Sequence, residues 1–384
     1  ELICQGKNLF FHASGGTGKT YMINKICSCM RQTRTISVCT PTGKAAVVLG
    51  CGAQTINRRF NIPSLNKDTT DEELLALAIK ISKKLKKVMD MIIIDLDFNG
   101  WLWLMTILDE ILKIKRKNDL PFGGVQLIVS GDFYQLPPVL DKWCFESRVW
   151  DNLNFVLVEF NTSKRYGNGR TFDFLQRLRK GELIEEDREL IMSRKDAMAN
   201  SEWRKHKISP TILFATNGDA DSYNASKLNK LEGELHKKRS IDAFYPQSKD
   251  ASENKRRLDI LNDMVAPLVT YKIKAKVMIC KNIDAPNKLV NGMTGVIIDI
   301  NEDVVRVRIE DGTEHGIVPC IFKYSSNRET FSRIQYPFIL AWAMTIHKSQ
   351  GSTLNYGIIK MENIRTRGQA YVAFSRFVDI ENVY

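Results

Sequence analysis

The stretch Ala13-Ser14-Gly15-Gly16-Thr17-Gly18-Lys19-Thr20 follows a short apolar run, residues 8–12, and leads into a helical pattern that starts near Tyr21. A glycine-rich turn between a strand and a helix is the setting of a phosphate-binding loop. Around Thr17, the glycines at 15, 16 and 18 let backbone N–H groups turn toward phosphate oxygens at the helix N-terminus. Lys19 then places a cation at the outer phosphates, and the Thr20 hydroxyl is suited to ligating magnesium. Ala13 stands where the general pattern has its first glycine, while the Gly-Thr-Gly-Lys-Thr core is intact.

Working outward, further apolar runs at 35–40, 91–95, 125–130 and 155–158 alternate with helical patterns. That rhythm predicts a parallel sheet covered by helices, an α/β fold. Asp95 ends the run Ile92-Ile93-Ile94-Asp95 and is the expected acidic partner of a magnesium ion at the loop. The next position would ordinarily hold the carboxylate that orients and deprotonates water, but it is Leu96, which offers no lone pair. Between the second and third runs Leu74, Leu77, Ile81, Leu85 and Val88 recur at helical spacing, with Lys80, Lys83, Lys84, Lys86 and Lys87 between them. This predicts a basic helical insertion over 56–87, its lysines forming either a solvated face or one that tracks phosphates.

The chain has 384 residues, enough for two or three domains at about 150 residues each. With 43% hydrophobic and 26% charged residues it is globular rather than disordered. Lysine plus arginine exceed aspartate plus glutamate by 56 − 44 = 12, which favours a polyanionic partner. The eight cysteines form no CxxC pair or zinc spacing and are expected to be reduced and mostly buried. No apolar stretch is long enough to span a membrane and no signal peptide is visible, so an intracellular protein, not secreted and without a membrane partner, is expected. Glu1 lies only a dozen residues before the loop, so the chain reads as a fragment.

The strand rhythm returns at 211–215, 276–280 and 356–360, predicting a second α/β domain. Within it, 295–300 and 304–309 alternate apolar and polar residues and lead to an Asp311-Gly312 turn, the period of antiparallel hairpins. The expected organisation is therefore a first domain over 1–160, a charged helical connector over 161–210, a second domain over 211–290 and 338–384, and a small β insertion over 291–337.

Gly131-Asp132-Phe133-Tyr134-Gln135-Leu136-Pro137-Pro138 follows the fourth run. Further blocks are Thr40-Pro41-Thr42-Gly43-Lys44-Ala45-Ala46, Leu289-Val290-Asn291-Gly292, His347-Lys348-Ser349-Gln350-Gly351 and Gly368-Gln369-Ala370-Tyr371-Val372-Ala373-Phe374-Ser375-Arg376. In this order, over nearly the whole chain, the series resembles the Pif helicases, relatives of bacterial RecD in helicase superfamily one. The resemblance implies two RecA-like P-loop NTPase domains with a β-barrel insertion in the second. It also implies ATP and Mg2+ as cofactors and 5′-to-3′ movement on single-stranded DNA, including forks or structured DNA, by a monomer or transiently self-associating protein. It puts Gln135 near the γ-phosphate, adds Gly351 to the nucleotide-binding set, and has Arg165 and Arg376 reach the nucleotide from across the interdomain cleft. Thr42, Gly43, Lys44 and Thr55, with His347, Lys348 and Ser349, match segments that line the family's single-strand track. The nucleus, a mitochondrion, or a viral or cytoplasmic site is the implied location, and genome maintenance the implied role.

Two departures stand out. The family's adenine-recognising glutamine motif would lie upstream of Glu1, and Asp95-Leu96-Asp97-Phe98-Asn99 stands where relatives read Asp-Glu-Ile-Ser-Met. Residues 97–100 can be encoded GAT TTC AAT GGT, which one nucleotide on reads Ile-Ser-Met at the family's positions, so a pair of compensating frameshifts is the expectation for this block, although it does not recover the glutamate. The rival to a working helicase is a hydrolysis-defective, nucleotide-gated DNA-binding protein or a decayed helicase, because Leu96 replaces the expected catalytic glutamate. A P-loop kinase of small molecules would leave the Arg376 block and the positive charge unexplained.

Overall fold

The computed structural model describes residues 1–41, 45–46, 49–63, 70–85, 88–96, 102–137, 142–163, 165–166, 169–248, 250–281, 283, 289, 292–325 and 329–384. They form two compact units, Glu1–Gly181 with Thr366–Tyr371, and Glu182–Arg365 with Val372–Tyr384. The segment expected as a connector is divided between them: helix Gly169–Lys180 belongs to the first and helix Glu185–Ala199 to the second.

The first unit is built on β1 (Leu9–His12), β2 (Ile36–Thr40), β3 (Gln54–Thr55), β4 (Met91–Leu96), β5 (Gln126–Gly131) and β6 (Val156–Glu159). They pair in the order β3-β2-β4-β5-β1-β6, and every pair is parallel. Alternation along the strands splits the core in two. Met91 and Ile93 pack with Leu9, Phe11 and Val38 against Ile23 and Ile26 of helix Lys19–Met30. Ile92 and Ile94 face the other way, toward helices Asp71–Lys84 and Leu102–Arg116. A sheet covered on both faces is buried on both, so its strands read as continuous apolar runs. Helix Asp71–Lys84 starts with a capping box, in which the Thr70 hydroxyl accepts from Glu73 N at 3.3 Å and the Glu73 carboxylate accepts from Thr70 N at 2.9 Å. Its Leu74, Ala78 and Ile81 are buried while Lys80, Lys83 and Lys84 face solvent; Lys86 and Lys87 lie outside the described residues.

In the second unit β7 (Thr211–Phe214), β18 (Ala343–Thr345) and β19 (Gly357–Ile359) form a three-stranded parallel sheet, β18-β7-β19. Between β7 and β18 lie β8 (His236–Arg239), β9 (Ile241–Tyr245), β10 (Leu268–Tyr271), β11 (Lys276–Ile279), β12 (Thr294–Asn301), β13 (Val304–Ile309), β14 (Glu314–Ile317), β15 (Cys320–Ser325), β16 (Thr330–Gln335) and β17 (Phe338–Leu340). These pair antiparallel as β14-β13-β12-β11-β17, β15-β16-β9 and β10-β8. One expectation is corrected here: residues 276–279 belong to an antiparallel sheet instead of the parallel one, because Val277 and Ile279 pack with Ile297, Val305 and Phe338 in the core of the inserted sheets. The antiparallel region also begins well before residue 291.

Lys276 is buried within that unit, its Nζ donating to Thr211 Oγ1 at 2.8 Å and to the Ser209 carbonyl. Burial lowers its pKa from 10.5 to about 7, against a smaller opposing pull from Glu310. Between those values the unfolded chain carries a proton that the folded chain lacks, so stability rises with pH, by up to about 1.4 kcal/mol per pH unit. Melting curves from pH 7 to 9.5 should show this rise in the native chain and a flatter profile in Lys276→Met; identical profiles would remove Lys276 as the cause.

None of the eight cysteines is in a disulfide, and only Cys27, Cys39 and Cys144 are buried, whereas Cys4 and Cys29 are exposed, fewer buried thiols than expected. No helix among the described residues is long and apolar enough to cross a membrane.

Candidate functional site

The phosphate loop leaves the end of β1 and enters helix Lys19–Met30 at Gly18, whose φ is 102° and which provides no side-chain cap. The first N–H groups of the helix therefore have no capping side chain, the condition for receiving an anion. Lys19 is buried, with Nζ 2.9 Å from the Ala13 carbonyl, so its ammonium lies along the loop; Thr17 Oγ1 braces the turn by donating to Ser14 O at 2.8 Å. Thr20 is exposed at the helix start.

Asp95 is buried at the end of β4 and paired in register with Ser130 of β5. By strand parity it continues the row of Met91 and Ile93, the face covered by the helix that begins at Lys19 and Thr20. A carboxylate and a hydroxyl are oxygen donors of the kind magnesium prefers, and such sites take the remaining ligands from phosphates and water. The described residues contain no cluster of three or more His, Cys, Asp or Glu able to hold a metal by themselves. Leu96 pairs with Gly131, is half-buried, and packs against the apolar cluster on the opposite face.

Gln135 is buried, and its Nε2 donates to Asp132 Oδ2 at 3.3 Å. The side chain of Asp132 is fully enclosed. Its Oδ1 also accepts from Arg179 Nε at 2.9 Å and from Tyr134 N at 3.2 Å, and its Oδ2 from the Tyr371 hydroxyl at 2.9 Å. Arg179 further donates to His12 Nε2 at 2.7 Å and lies 4.6 Å over the Tyr134 ring. Burial, then the Arg179 charge, lowers the His12 pKa, which suits a neutral ring accepting at Nε2. Burial, then the Asp132 charge, raises the Tyr371 pKa well above its ordinary value, keeping the hydroxyl a donor.

Arg165 departs from expectation. It lies in the same unit as the loop and crosses Gly16, where a side-chain carbon would stand 2.6 Å from Arg165 Cβ, and the φ of +80° at Gly16 also favours glycine. Arg376, in the second unit, is buried with Nε donating to Val372 O at 3.0 Å and Nη2 to Ser375 Oγ at 2.7 Å.

Of the expected strand-contacting residues, Thr42, Gly43 and Lys44 lie outside the described residues. Thr55 caps helix Ile56–Phe60, its hydroxyl accepting from Arg58 N at 3.3 Å. In the second unit His347 and Lys348 are exposed on the short helix Ile346–Ser349, which Thr345 caps. Ser349 is corrected: it is buried and its Oγ donates to Ile346 O at 2.7 Å, because in so short a helix the hydroxyl satisfies a terminal carbonyl. Gly351 follows with φ +78°.

Arg179, Gln176 and Tyr371 escaped the sequence reading. The available signal was the pair Gln176 and Arg179, one helical turn apart beside the buried Phe174 and Leu175, which places two polar groups where the helix meets the core.

Residues 2–189 match the model of the PIF1-like helicase family. The ATP-dependent DNA helicase PIF1 of Danio rerio is 30% identical over 400 residues, covering 99% of this chain and 58% of that protein. The ATP-dependent DNA helicase Pif1 of Bdellovibrio bacteriovorus is 30% identical over 391 residues, covering 98% and 83%. The fold is similar to Bacteroides sp Pif1 in complex with ADP-AlF4 (TM-score 0.77, 25% identity, 100% and 89% covered) and to Pif1 helicase from Candida albicans (0.71, 28%, 99% and 91%). The chain spans a little over half the length of the vertebrate relatives it matches. With near-complete coverage at this identity, and two α/β units of the RecA-like kind carrying additional antiparallel sheets, the chain belongs to the PIF1-like helicase family.

Proposed function

We propose that this chain is the motor core of an ATP-dependent DNA helicase that moves 5′ to 3′ along single-stranded DNA and serves genome maintenance at repair, recombination, telomere or fork intermediates. The observation that carries this reading is the phosphate loop running into an uncapped helix N-terminus, with Lys19 along the loop and Asp95 on the face of the sheet that this helix covers. Lys19 and the loop N–H groups would hold the phosphates of ATP, with Thr20 and Asp95 holding magnesium. The metal would neutralise charge on the β- and γ-phosphates. Gln135, Arg165 and Arg376 then respond to nucleotide state. Lys348 and His347 supply sequence-independent contacts to the strand. An intracellular DNA compartment is the setting this implies.

Leu96 favours a second reading for the chain as written, a nucleotide-gated DNA-binding protein that hydrolyses ATP slowly, because an apolar side chain packed against the core stands where a water-activating carboxylate is required. Phosphate release with and without single-stranded DNA separates the two.

Binding to single-stranded DNA should be nearly indifferent to sequence and weaken steeply with salt, since each neutralised phosphate contributes a slope of about −0.7 to log K against log salt. Lys348→Ala should flatten that slope by about 0.7 and weaken binding uniformly. Salt-insensitive binding, or tight binding to one sequence alone, would overturn the track assignment.

A further inference from the structure

We propose that Asp132, Arg179 and Tyr371 are positioning residues that hold the Gln135 amide and the front of the phosphate loop in one frame, with Gln135 Oε1 left as the outward, accepting end. This rests on the ATPase reading above. A carboxylate has no proton to donate, so the amide must present Nε2 to Asp132 Oδ2, as it does at 3.3 Å. A flipped amide would set two acceptors against each other. Arg179 closes on Oδ1 through Nε at 2.9 Å and Nη2 at 2.8 Å, and Tyr371 closes on Oδ2 at 2.9 Å, so the carboxylate has little freedom to turn.

The same carboxylate is tied to the loop by two routes. Tyr371 accepts from Gly15 N at 3.3 Å while donating to Asp132. Gln176 accepts from Arg179 Nη1 at 3.4 Å and donates to Ser14 Oγ at 3.0 Å. Segment Thr366–Tyr371, part of the first unit, approaches the Gln135 backbone so closely that a Cβ at Gly368 would overlap Gln135 O and Tyr134 O, and its φ of +74° again requires glycine. A glutamine amide can orient an attacking water through its carbonyl oxygen. With leucine at position 96, that orientation depends more heavily on Gln135 being turned the right way.

The test compares the affinities of the full chain for magnesium ADP and for magnesium ADP with aluminium fluoride, the latter imitating the phosphoryl group in transfer. Tyr371→Phe removes one oxygen from an enclosed network. It should leave ADP affinity within about twofold and reduce the preference for the fluoroaluminate complex on the order of tenfold, the scale of one hydrogen bond to a charged group. Arg179→Lys keeps the charge but loses the two-pronged contact, and should act in the same direction should Tyr371→Phe not fold. A merely structural role would lower both affinities together, or move only the melting temperature, and either result overturns the proposal. A native chain that binds ADP without preferring the fluoroaluminate complex also overturns it, while leaving nucleotide binding intact. A native chain that binds neither ligand removes the ATPase reading, and the proposal with it.

Discussion

Replacing Leu96, Asp97, Phe98 and Asn99 with Glu, Ile, Ser and Met is expected to raise DNA-stimulated ATP turnover by about 10²–10⁴-fold, the usual contribution of a general base. Leu96 is the last residue of β4 and sits beside Asp95, whose side chain faces the helix carrying Lys19 and Thr20. A glutamate at 96 would add a carboxylate on a longer arm at the position next to Asp95. Asp97 lies outside the described residues, and its side chain is one carbon shorter than that of glutamate. The exchange removes apolar packing at a half-buried site, so melting curves must accompany the rates. An unmodified chain that already turns over at the repaired rate would show that position 96 is not the base position. A repaired chain that melts like its parent and gains nothing would place the defect elsewhere.

In that repaired background, Arg376→Ala should lower turnover on the order of 10³-fold while changing ATP affinity only a few-fold, as expected of a guanidinium that meets charge developing on a transferring phosphoryl group. In the structure the guanidinium donates to the Val372 carbonyl of the helix Gln369–Phe374 and to the Ser375 hydroxyl. Single-turnover measurements separate the chemical step from binding, and small, equal losses in both would mark Arg376 as a structural arginine.

Legibility from sequence followed the range of the interactions. The phosphate loop could be read because its glycines, lysine and threonine act on one another within eight residues, and Asp95 because three isoleucines before it mark a strand buried on both faces. Lys276-Val277-Met278-Ile279 has the same apolar look, yet a four-residue run carries no information about which neighbours it pairs with or in which direction, and the structure pairs it antiparallel. Ala343-Met344-Thr345 is too short to register as a parallel partner of β7. The Asp132 network was invisible for a related reason: its donors lie 47 residues away at Arg179 and 239 away at Tyr371, where no local pattern joins them. Ser349 shows the opposite failure, a residue inside a recognised block whose hydroxyl is spent on its own helix.

The assignment of Thr366–Tyr371 to the first unit has a consequence for how the protein is made. A ribosome working from the N-terminus finishes the six-stranded sheet by Glu159, but Gly368 and the Tyr371 hydroxyl emerge only after the whole second unit up to Arg365. Until then Asp132 waits with one of its donors unsynthesised and the Gly15 N–H without its tyrosine acceptor. Domains tend to fold as units during synthesis, N-terminal first. Here the first unit is the first begun and among the last completed, so a chain cut short anywhere before Tyr371 lacks the hydroxyl that joins Gly15 N to Asp132.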